Sequence, residues 1–343
     1  MKALPRGDFK NGISPLHILI ALLLATQNPR SNLHAQGSLT PPGAPGPTMK
    51  SLAQIEPRTP IDATHTPGDA DSLFKITQPG SYYLTTNVTG VTAKHGVEIA
   101  ASGVTLDLNG FDLVGVAGSL DGVSVTLLNA INVSVRNGSV RSWGGSGINL
   151  LDAATSATNV RDIVASQNVV NGIRMGFGGT LTHCTCYNNT GAGIAGAAGT
   201  VITECVANVN GSHGITTGSG CTISRCTVRS NVGDGINVFS SCLVLNNDCS
   251  LNGNGAGDGA GIHATSADNR IEGNNCIGAD RGIDVDVAGN IIIKNTCSGN
   301  TSNWEVVAGN VILIVSATTA GAVSGNSGGT APGSTDPNAN FSY

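Results

Sequence analysis

The stretch from Gly172 to Asn252 can be written as four lines, which open with Gly172-Ile-Arg-Met, Gly193-Ile-Ala-Gly, Gly214-Ile-Thr-Thr and Gly235-Ile-Asn-Val. The first three lines are each 21 residues long. The same residue types return at fixed offsets from each glycine. These are apolar residues (Leu181, Ile202, Ile223 and Val244), cysteines (Cys184, Cys205 and Cys226) and asparagines (Asn189, Asn210, Asn231 and Asn252). A fixed period of this length predicts a solenoid.

The pattern inside each line indicates strands. Apolar and polar residues alternate after the glycine, as in Ile148-Asn149-Leu150, Ile236-Asn237-Val238 and Ile283-Asp284-Val285. Alternation with a period of two is typical of a strand. No line holds the ten or more residues of helical periodicity that leucine-rich, ankyrin or other helical repeats require. The sequence therefore predicts an all-β solenoid of parallel strands.

Two segments relate this pattern to a known fold. They are Val244-x-x-Asn247-x-Cys249-x-x-Asn252 and Ile292-x-x-Asn295-x-Cys297-x-x-Asn300. This spacing resembles the right-handed parallel β-helix repeat (PbH1) of the pectate-lyase-like superfamily, and the resemblance covers most of Gly96–Ser316. It implies a right-handed parallel β-helix of about ten coils, each 21–26 residues long. A left-handed β-helix is the weaker choice, because strict hexapeptide spacing is absent.

Composition changes along the chain predict five segments. Residues 1–35 have a basic start and an apolar run, Ile18–Ala25, that is too short to span a membrane, so they predict a signal peptide. Residues 36–60 form a Pro/Gly-rich linker, 61–95 capping strands, 96–316 the β-helix, and 317–343 a flexible Gly/Ser/Asn-rich tail. The signal peptide predicts a secreted, periplasmic or cell-surface protein.

The charge of the mature protein limits its partners. Loss of residues 1–35 removes four of the 17 basic and one of the 22 acidic side chains, which leaves 13 against 21, a net charge of −8. A chain this acidic, without a basic cluster, argues against nucleic acid and anionic membranes as partners. A polyanion would bind poorly unless cations mediate the contact.

Residues at equal offsets should stack in the folded chain. The sequence predicts an inward isoleucine column, which consists of Ile173, Ile194, Ile215, Ile236, Ile262 and Ile283. It also predicts an asparagine ladder at one bend, where each amide bonds the neighbouring coils. Ala279 interrupts this ladder and should weaken it locally. Cys184, Cys205 and Cys226 fill one core column and Cys249, Cys276 and Cys297 another, which favours buried thiols over disulfides or zinc ligands.

Only outward columns can carry function. Two residues after the repeating glycines lie Asn237, His263 and Asp284, and one residue before them lie His213, Asp234 and Arg281. The candidate catalytic residues are thus His213, Asp234, His263, Arg281 and Asp284. A histidine stacked on a carboxylate could act as a general base. Asp284 and Asp286 are candidate Ca²⁺ ligands. Salt-bridge ladders without any site are the structural alternative, and His183, Glu204 and Arg225 form such a group at another bend.

The catalytic motifs of related β-helix enzymes are absent. Relatives that hydrolyse polygalacturonate carry paired aspartates and Gly-His-Gly, whereas this chain has only Ser212-His213-Gly214; the Asp-Pro-His-Asp run of alginate epimerases is also missing. Pectate lyases use calcium-binding acids with an Arg or Lys base, residue types that Arg281, Asp284 and Asp286 could supply at unmatched spacing. The sequence therefore favours a non-catalytic, carbohydrate-associated binding or structural module. The alternative is a polysaccharide lyase or uronate epimerase that acts on an acidic polysaccharide through the His263/Asp284 face.

Overall fold

The computed structural model describes residues 55–151, 155–253, 259–316, 322–325 and 336–343. Residues 322–325 are described by their backbone alone. The predicted signal peptide and almost all of the linker lie outside the described residues. From Glu56 onward the described elements are all strands, and they form one compact unit, Glu56–Tyr343. A helix with the length and apolar character of a membrane span is absent from the described part of the chain.

The first ladder is a parallel sheet of twelve strands, one from each turn of the solenoid. Its strands are Ser72–Ile76, His95–Ile99, Val123–Val125, Ile148–Asn149, Ile173–Met175, Ile194–Gly196, Ile215–Thr217, Ile236–Val238, Ala260–Ala264, Arg281–Val285, Ser302–Val306 and Ala322–Gly325. Twelve turns compare with the ten or so predicted, and the all-β fold class is confirmed.

The other strands form two further ladders, which two long strands, Ser134–Arg141 and Asn159–Ser166, join on consecutive turns. The second ladder also contains Thr59–Pro60, Gly80–Tyr83, Val104–Asp107, Thr180–Thr182, Val201–Thr203, Thr222–Ser224, Leu243–Leu245, Arg270–Glu272, Ile291–Ile293 and Val311–Ile312. The third also contains Val88–Thr89, Asp112–Val114, Thr185–Tyr187, Val206–Asn208, Thr227–Arg229, Asp248–Ser250, Asn275–Ile277, Thr296–Ser298, Asn340–Ser342 and Ile314–Ser316.

The solenoid begins earlier than Gly96. Strands of the segment predicted to be capping strands pair in parallel in all three ladders, as in the registers Phe74↔Val97, Tyr82↔Leu106 and Val88↔Leu113. These residues therefore form a turn of the solenoid itself.

The core is the predicted inward column and its equivalents on the other ladders. Ile173, Ile194, Ile215, Ile236, Ile262 and Ile283 are in register and completely buried. Full burial of one such side chain stabilises the fold by about 1.5–3 kcal/mol. Trp304 continues the column below Ile283, where the repeating Gly-Ile is absent from the sequence.

The asparagine ladder forms at the bend after the third ladder. Each asparagine accepts two hydrogen bonds from the turn before it: Asn189 donates its backbone N–H and its Nδ2–H to Asn210 Oδ1 at 3.1 and 3.0 Å. Asn168, Asn189, Asn210, Asn231 and Asn252 repeat this geometry without interruption. The left-handed conformation that the bend requires is taken by the residue before each asparagine, for example Val209 with φ 58°.

Cysteines occupy two other polar columns together with asparagines. The column of Cys184, Cys205 and Cys226 continues as Asn247, since Cys226 donates its N–H to Asn247 Oδ1 at 2.9 Å. Cys221 and Cys242 are continued in the same way by Asn269. Cys249, Cys276 and Cys297 are in register on adjacent strands. All nine thiols are buried and free, so these columns stabilise the bends without disulfides.

Ala279 leaves a gap in the asparagine ladder that can be filled. Its N–H donates to Asn300 Oδ1 at 2.8 Å, which is the ladder geometry, but its side chain offers no acceptor to the preceding turn. An Ala279→Asn substitution is expected to raise the free energy of unfolding by about 1 kcal/mol, the net value of an intramolecular hydrogen bond. Chemical denaturation measures the change. Ala308→Asn, at an exposed turn, is the control. A destabilised Ala279→Asn variant would contradict the prediction.

Part of the predicted flexible tail is ordered into the third ladder. Asn340–Ser342 lies between Thr296–Ser298 and Ile314–Ser316, so the chain returns to insert a strand out of sequence order. Asn340 is fully buried and accepts hydrogen bonds from Asn295 N–H and Nδ2–H at 2.9 and 3.0 Å. The asparagine ladder chemistry thus holds the end of the chain in place.

Candidate functional site

The candidate site lies on the outward face of the first ladder near its C-terminal end. Asn237, His263, Asp284 and Glu305 are directly in register on four consecutive strands. Asp234, before its strand, and Arg281, at the start of its strand, approach this row three residues before Asn237 and Asp284. Parallel strands are about 4.8 Å apart, so neighbouring side chains of the row lie close enough to interact.

Asp234 is the buried centre of the site. Its side chain is 5% exposed, and its Oδ2 lies 3.3 Å from His213 Nδ1 and 3.1 Å from His263 Nδ1. Asn237 Nδ2 donates to the same oxygen at 2.9 Å, and the Ala260 N–H donates to Oδ1 at 2.8 Å. Burial by itself would raise the pKa of Asp234, but these hydrogen bonds hold it well below the usual range. Asp234 is therefore a fixed negative charge.

His263 is enclosed by carboxylates on both ring nitrogens. Nδ1 contacts Asp234, while Nε2 lies 3.0 Å from Asp286 Oδ2 and 3.8 Å from Asp284 Oδ2. Burial opposes the charged ring, but the hydrogen bond to Asp234 and the nearby acids raise the pKa of His263 to about 9. At neutral pH the imidazolium has no lone pair. In this state His263 is a hydrogen-bond donor and a positive charge, and it would have to lose a proton before it could act as the general base that the sequence predicts.

Asp284 is the group of the site that can exchange a proton near neutral pH. Its side chain is 7% exposed, and burial raises the pKa of Asp284 to about 6 although the charges of His263 and Arg281 oppose the shift. Arg281 Nη1 lies 3.2 Å from Asp284 Oδ2, and Arg281 Nε bonds Glu305. A carboxyl group with this pKa beside two cations is suited to proton transfer.

The raised pKa of His263 has a consequence for stability. A group whose pKa is raised in the folded state stabilises the protein fully below its unfolded pKa, here 6.5, and loses that contribution as the pH rises through about 9. We expect the His263 imidazole to titrate near pH 9 by NMR. Up to about 3 kcal/mol of unfolding free energy should be lost between pH 6.5 and 9. The His263→Gln variant should lose much less over this window. Titration of His263 below pH 7 would contradict the prediction.

Three groups of the site have ligand atoms close enough for one metal ion. One atom each of His263, Asp284 and Asp286 lies within 4.8 Å of the others. Ca²⁺ prefers oxygen ligands, whereas a set with imidazole is more typical of transition metals and requires His263 to lose its proton. Ca²⁺ at Asp284 and Asp286 stays a prediction. In the other such group, Asp69, Asp71 and Glu98, the Lys75 ammonium lies 2.7 Å from both Asp69 and Glu98.

His213 and Asp234 also belong to a row with a structural role. In this row the side chain before a repeating glycine accepts the N–H of the equivalent residue on the next turn. His213 Nδ1 accepts from the Asp234 N–H at 3.1 Å, and His95 Nδ1 accepts from the Asp121 N–H at the same distance. Asp121, Ser146 and Asn171 act likewise, through Oδ1, Oγ and Oδ1. His213 touches the site only through Asp234, so the structure places it at the edge.

The five predicted catalytic residues thus form one connected group, with His213 at one end and Arg281 at the other. Sequence reasoning missed Glu305 because its strand lacks the repeating glycine. Glu305 could have been found from its position directly after Trp304, because Trp304 takes the place of the repeating isoleucine and Glu305 that of the outward residue after it. The exposed group of His183, Glu204 and Arg225 provides a contrast. Its contacts are equally short, 2.6 and 2.9 Å, but its side chains are 41–60% exposed. Burial is what distinguishes the candidate site.

Two clefts, of about 360 Å³ beside Ile291 and Val311 and about 340 Å³ beside Leu73 and Phe74, lie on other parts of the molecule. The candidate site is instead a row of polar side chains along four strands, and such a row suits an extended ligand better than a small one.

One family model agrees with the fold. The family model described as right handed beta helix region matches residues 121–275. No curated protein matches the sequence significantly. Among solved structures, the chain is similar to the A-module of mannuronan C-5 epimerase AlgE6 from Azotobacter vinelandii (15% identity, 76% of this chain and 79% of that one, TM-score 0.48). It is also similar to the Dettilon tailspike protein (16% identity, 79% of this chain and 60% of that one, TM-score 0.48). A third similar structure is pectate lyase Pel9A (18% identity, 77% of this chain and 71% of that one, TM-score 0.39). Identities this low do not assign an activity.

Proposed function

Because this chain is a right-handed parallel β-helix protein, its outward columns are straight rows of side chains, and we propose that the row Asn237–His263–Asp284–Glu305 binds carbohydrate. The observation that carries the proposal is the burial of charge on an outward face. Asp234 and Asp284 are 5% and 7% exposed although both belong to the surface of the solenoid. Buried ion pairs seldom add net stability over apolar packing. Apolar side chains at these places would stabilise the fold about as well, which favours a role in binding.

The chemistry of the row fits hydroxyl groups. Sugar hydroxyls both donate and accept, and the group around the row offers amide and guanidinium donors on Asn237 and Arg281 beside acceptors on Asp286 and Glu305. With His263 protonated and Asp284 ionised, the four acids of the group outnumber its two cations. This negative balance favours a neutral polysaccharide, or an acidic one whose charge is bridged by cations such as Ca²⁺. The predicted signal peptide leads us to propose that binding takes place outside the cytoplasm.

A glycan array probed with the purified protein tests the proposal. We expect binding to at least one polysaccharide class, and a loss of binding in a His263→Ala variant, because that substitution removes the central positive charge that holds Asp234 and Asp286 in place. The matched control is His183→Ala, which removes a histidine from an exposed ion-pair group at another bend. Absence of binding by the wild type, or equal loss in both variants, would count against the proposal.

A second function, as a polysaccharide lyase or uronate epimerase, has one observation in its favour. Asp284 can act as a base once ionised, and Arg281 and His263 beside it could neutralise a uronate carboxylate. Turnover should then rise as the pH passes through about 6 and should be lost in Asp284→Asn. Pectate, alginate and related uronates with Ca²⁺ are the substrates. Absorbance of the unsaturated product detects a lyase and NMR an epimerase, and no change in either assay would reject this function.

A further inference from the structure

The bend that follows the first ladder carries exposed apolar side chains beside the charged row. Phe239, Val287 and Val307 are 52%, 41% and 39% exposed on three of four consecutive turns. The chain has only six phenylalanines and 3% aromatic residues. An exposed phenylalanine in such a chain has no role in the core.

The backbone register shows which residues of this bend lie side by side. We call Phe239, Thr265, Asp286 and Val307 the rim. Phe239, Thr265, Asp286 and Val307 each follow directly after the in-register residues Val238, Ala264, Val285 and Val306. Backbone hydrogen bonds continue the register at the bend: the N–H groups of Thr265, Asp286 and Val307 donate to the preceding turns at 3.0, 3.1 and 3.2 Å. The four side chains therefore stack in one row, about 4.8 Å apart.

This rim meets the candidate site at Asp286. His263 Nε2 reaches out to Asp286 Oδ2 at 3.0 Å, so the imidazolium connects the polar row to the rim. Phe239 lies two turns from Asp286, with Thr265 between them. One stretch of surface thus presents charged donors and acceptors on the strand and apolar groups, Phe239 and Val307, at the bend.

We propose that Phe239 forms the apolar half of a sugar subsite. A pyranose ring combines C–H bonds on its faces with hydroxyls at its edge. The ring packs its C–H face on Phe239 while its hydroxyls donate to Asp286, which His263 holds in place. Aromatic side chains supply most of the contact area in such sites, and a few polar groups fix the orientation. This inference rests on the proposed carbohydrate-binding function and names the side chain that gives it apolar contact.

Isothermal titration calorimetry tests the subsite with hexasaccharides of β-1,4-glucose, β-1,4-mannose, α-1,4-galacturonate and β-1,4-mannuronate, with and without Ca²⁺. For the probe that binds most tightly, Phe239→Ala should weaken binding about 10-fold, because the apolar area buried between the phenyl ring and the sugar is lost. Phe239→Tyr keeps the ring and should stay within about 2-fold of the wild type. The matched control is Phe177→Ala, since Phe177 is 43% exposed after an earlier strand of the same ladder, away from the charged row.

The variants separate the two proposals. If His263→Ala loses binding while Phe239→Ala binds like the wild type, the subsite is rejected and the proposed function stands. If Phe177→Ala weakens binding as much as Phe239→Ala, the assignment to this rim is wrong. If the wild type binds none of the probes, the subsite and the proposed function are rejected together. Because Phe239 is exposed, its substitution leaves the core packing unchanged, and circular dichroism confirms the fold of each variant.

Discussion

Asn210→Ala is expected to lower the free energy of unfolding by about 3–5 kcal/mol, because it breaks the asparagine ladder in its middle. Asn210 is fully buried. Its Oδ1 accepts from Asn189 N–H and Nδ2–H, and its Nδ2 donates to the Cys186 carbonyl at 3.3 Å and to Asn231 Oδ1 at 2.9 Å. Alanine leaves two donors of Asn189 and the carbonyl of Cys186 without these partners in a site that water does not reach.

Urea denaturation followed by circular dichroism measures this loss. Asn208→Ala is the matched control on the same turn, because Asn208 is only partly buried and accepts one bond, from the Arg229 N–H at 3.1 Å. The control should lose less than about 1 kcal/mol. Equal losses in the two variants would mean that the ladder contributes no more than a surface hydrogen bond. Each turn of a solenoid contacts mainly its neighbours, so a broken turn can also split the unfolding transition in two.

Gly214→Ala is expected to destabilise the fold by at least about 3 kcal/mol, since the repeating glycine lies where three groups leave no room for a methyl. A Cβ at this position would lie 2.3 Å from Val228 Cγ1, 2.6 Å from Asn231 Nδ2 and 2.8 Å from the Gly235 carbonyl oxygen. The added methyl group would displace the ladder amide or the strand of the next turn. The glycine is thus required by the close approach of the asparagine ladder to the first ladder.

Gly220→Ala separates steric room from conformational freedom. Gly220 has φ +67° and no atom within 4 Å of an added Cβ, so alanine there meets backbone strain alone. We expect a loss of about 1–2 kcal/mol at Gly220, below that at Gly214, in the same denaturation experiment. A larger loss at Gly220 than at Gly214 would contradict the steric explanation of the repeating glycine. Gly193 has equivalents of two of these three close neighbours, Asn210 Nδ2 at 2.6 Å and the Gly214 carbonyl oxygen at 2.8 Å, and should also be destabilised by alanine.

The candidate site could be located from the sequence, but its electrostatics could not. Equal offsets from the glycine placed Asn237, His263 and Asp284 in one outward row, which the strand register confirms. Whether such a row is a solvated salt-bridge ladder or a buried network depends on how closely neighbouring groups pack around it in the folded chain. The offsets are the same in both cases. Burial holds Asp284 at a pKa of about 6 and leaves His263 between three acids, with a pKa of about 9.

The repeat alone determined the all-β solenoid, its inward isoleucine column and its asparagine ladder, because one residue type at one offset must occupy one place on every turn. The tertiary structure decided what the period does not encode. Asn340–Ser342 enters the third ladder out of order, since a strand edge accepts any segment whose backbone and asparagine can pair. Phe239 lies near His263 only because adjacent turns stack in register. Such contacts join residues of different turns, and their distances follow from the packing of the whole solenoid rather than from any one line of the sequence.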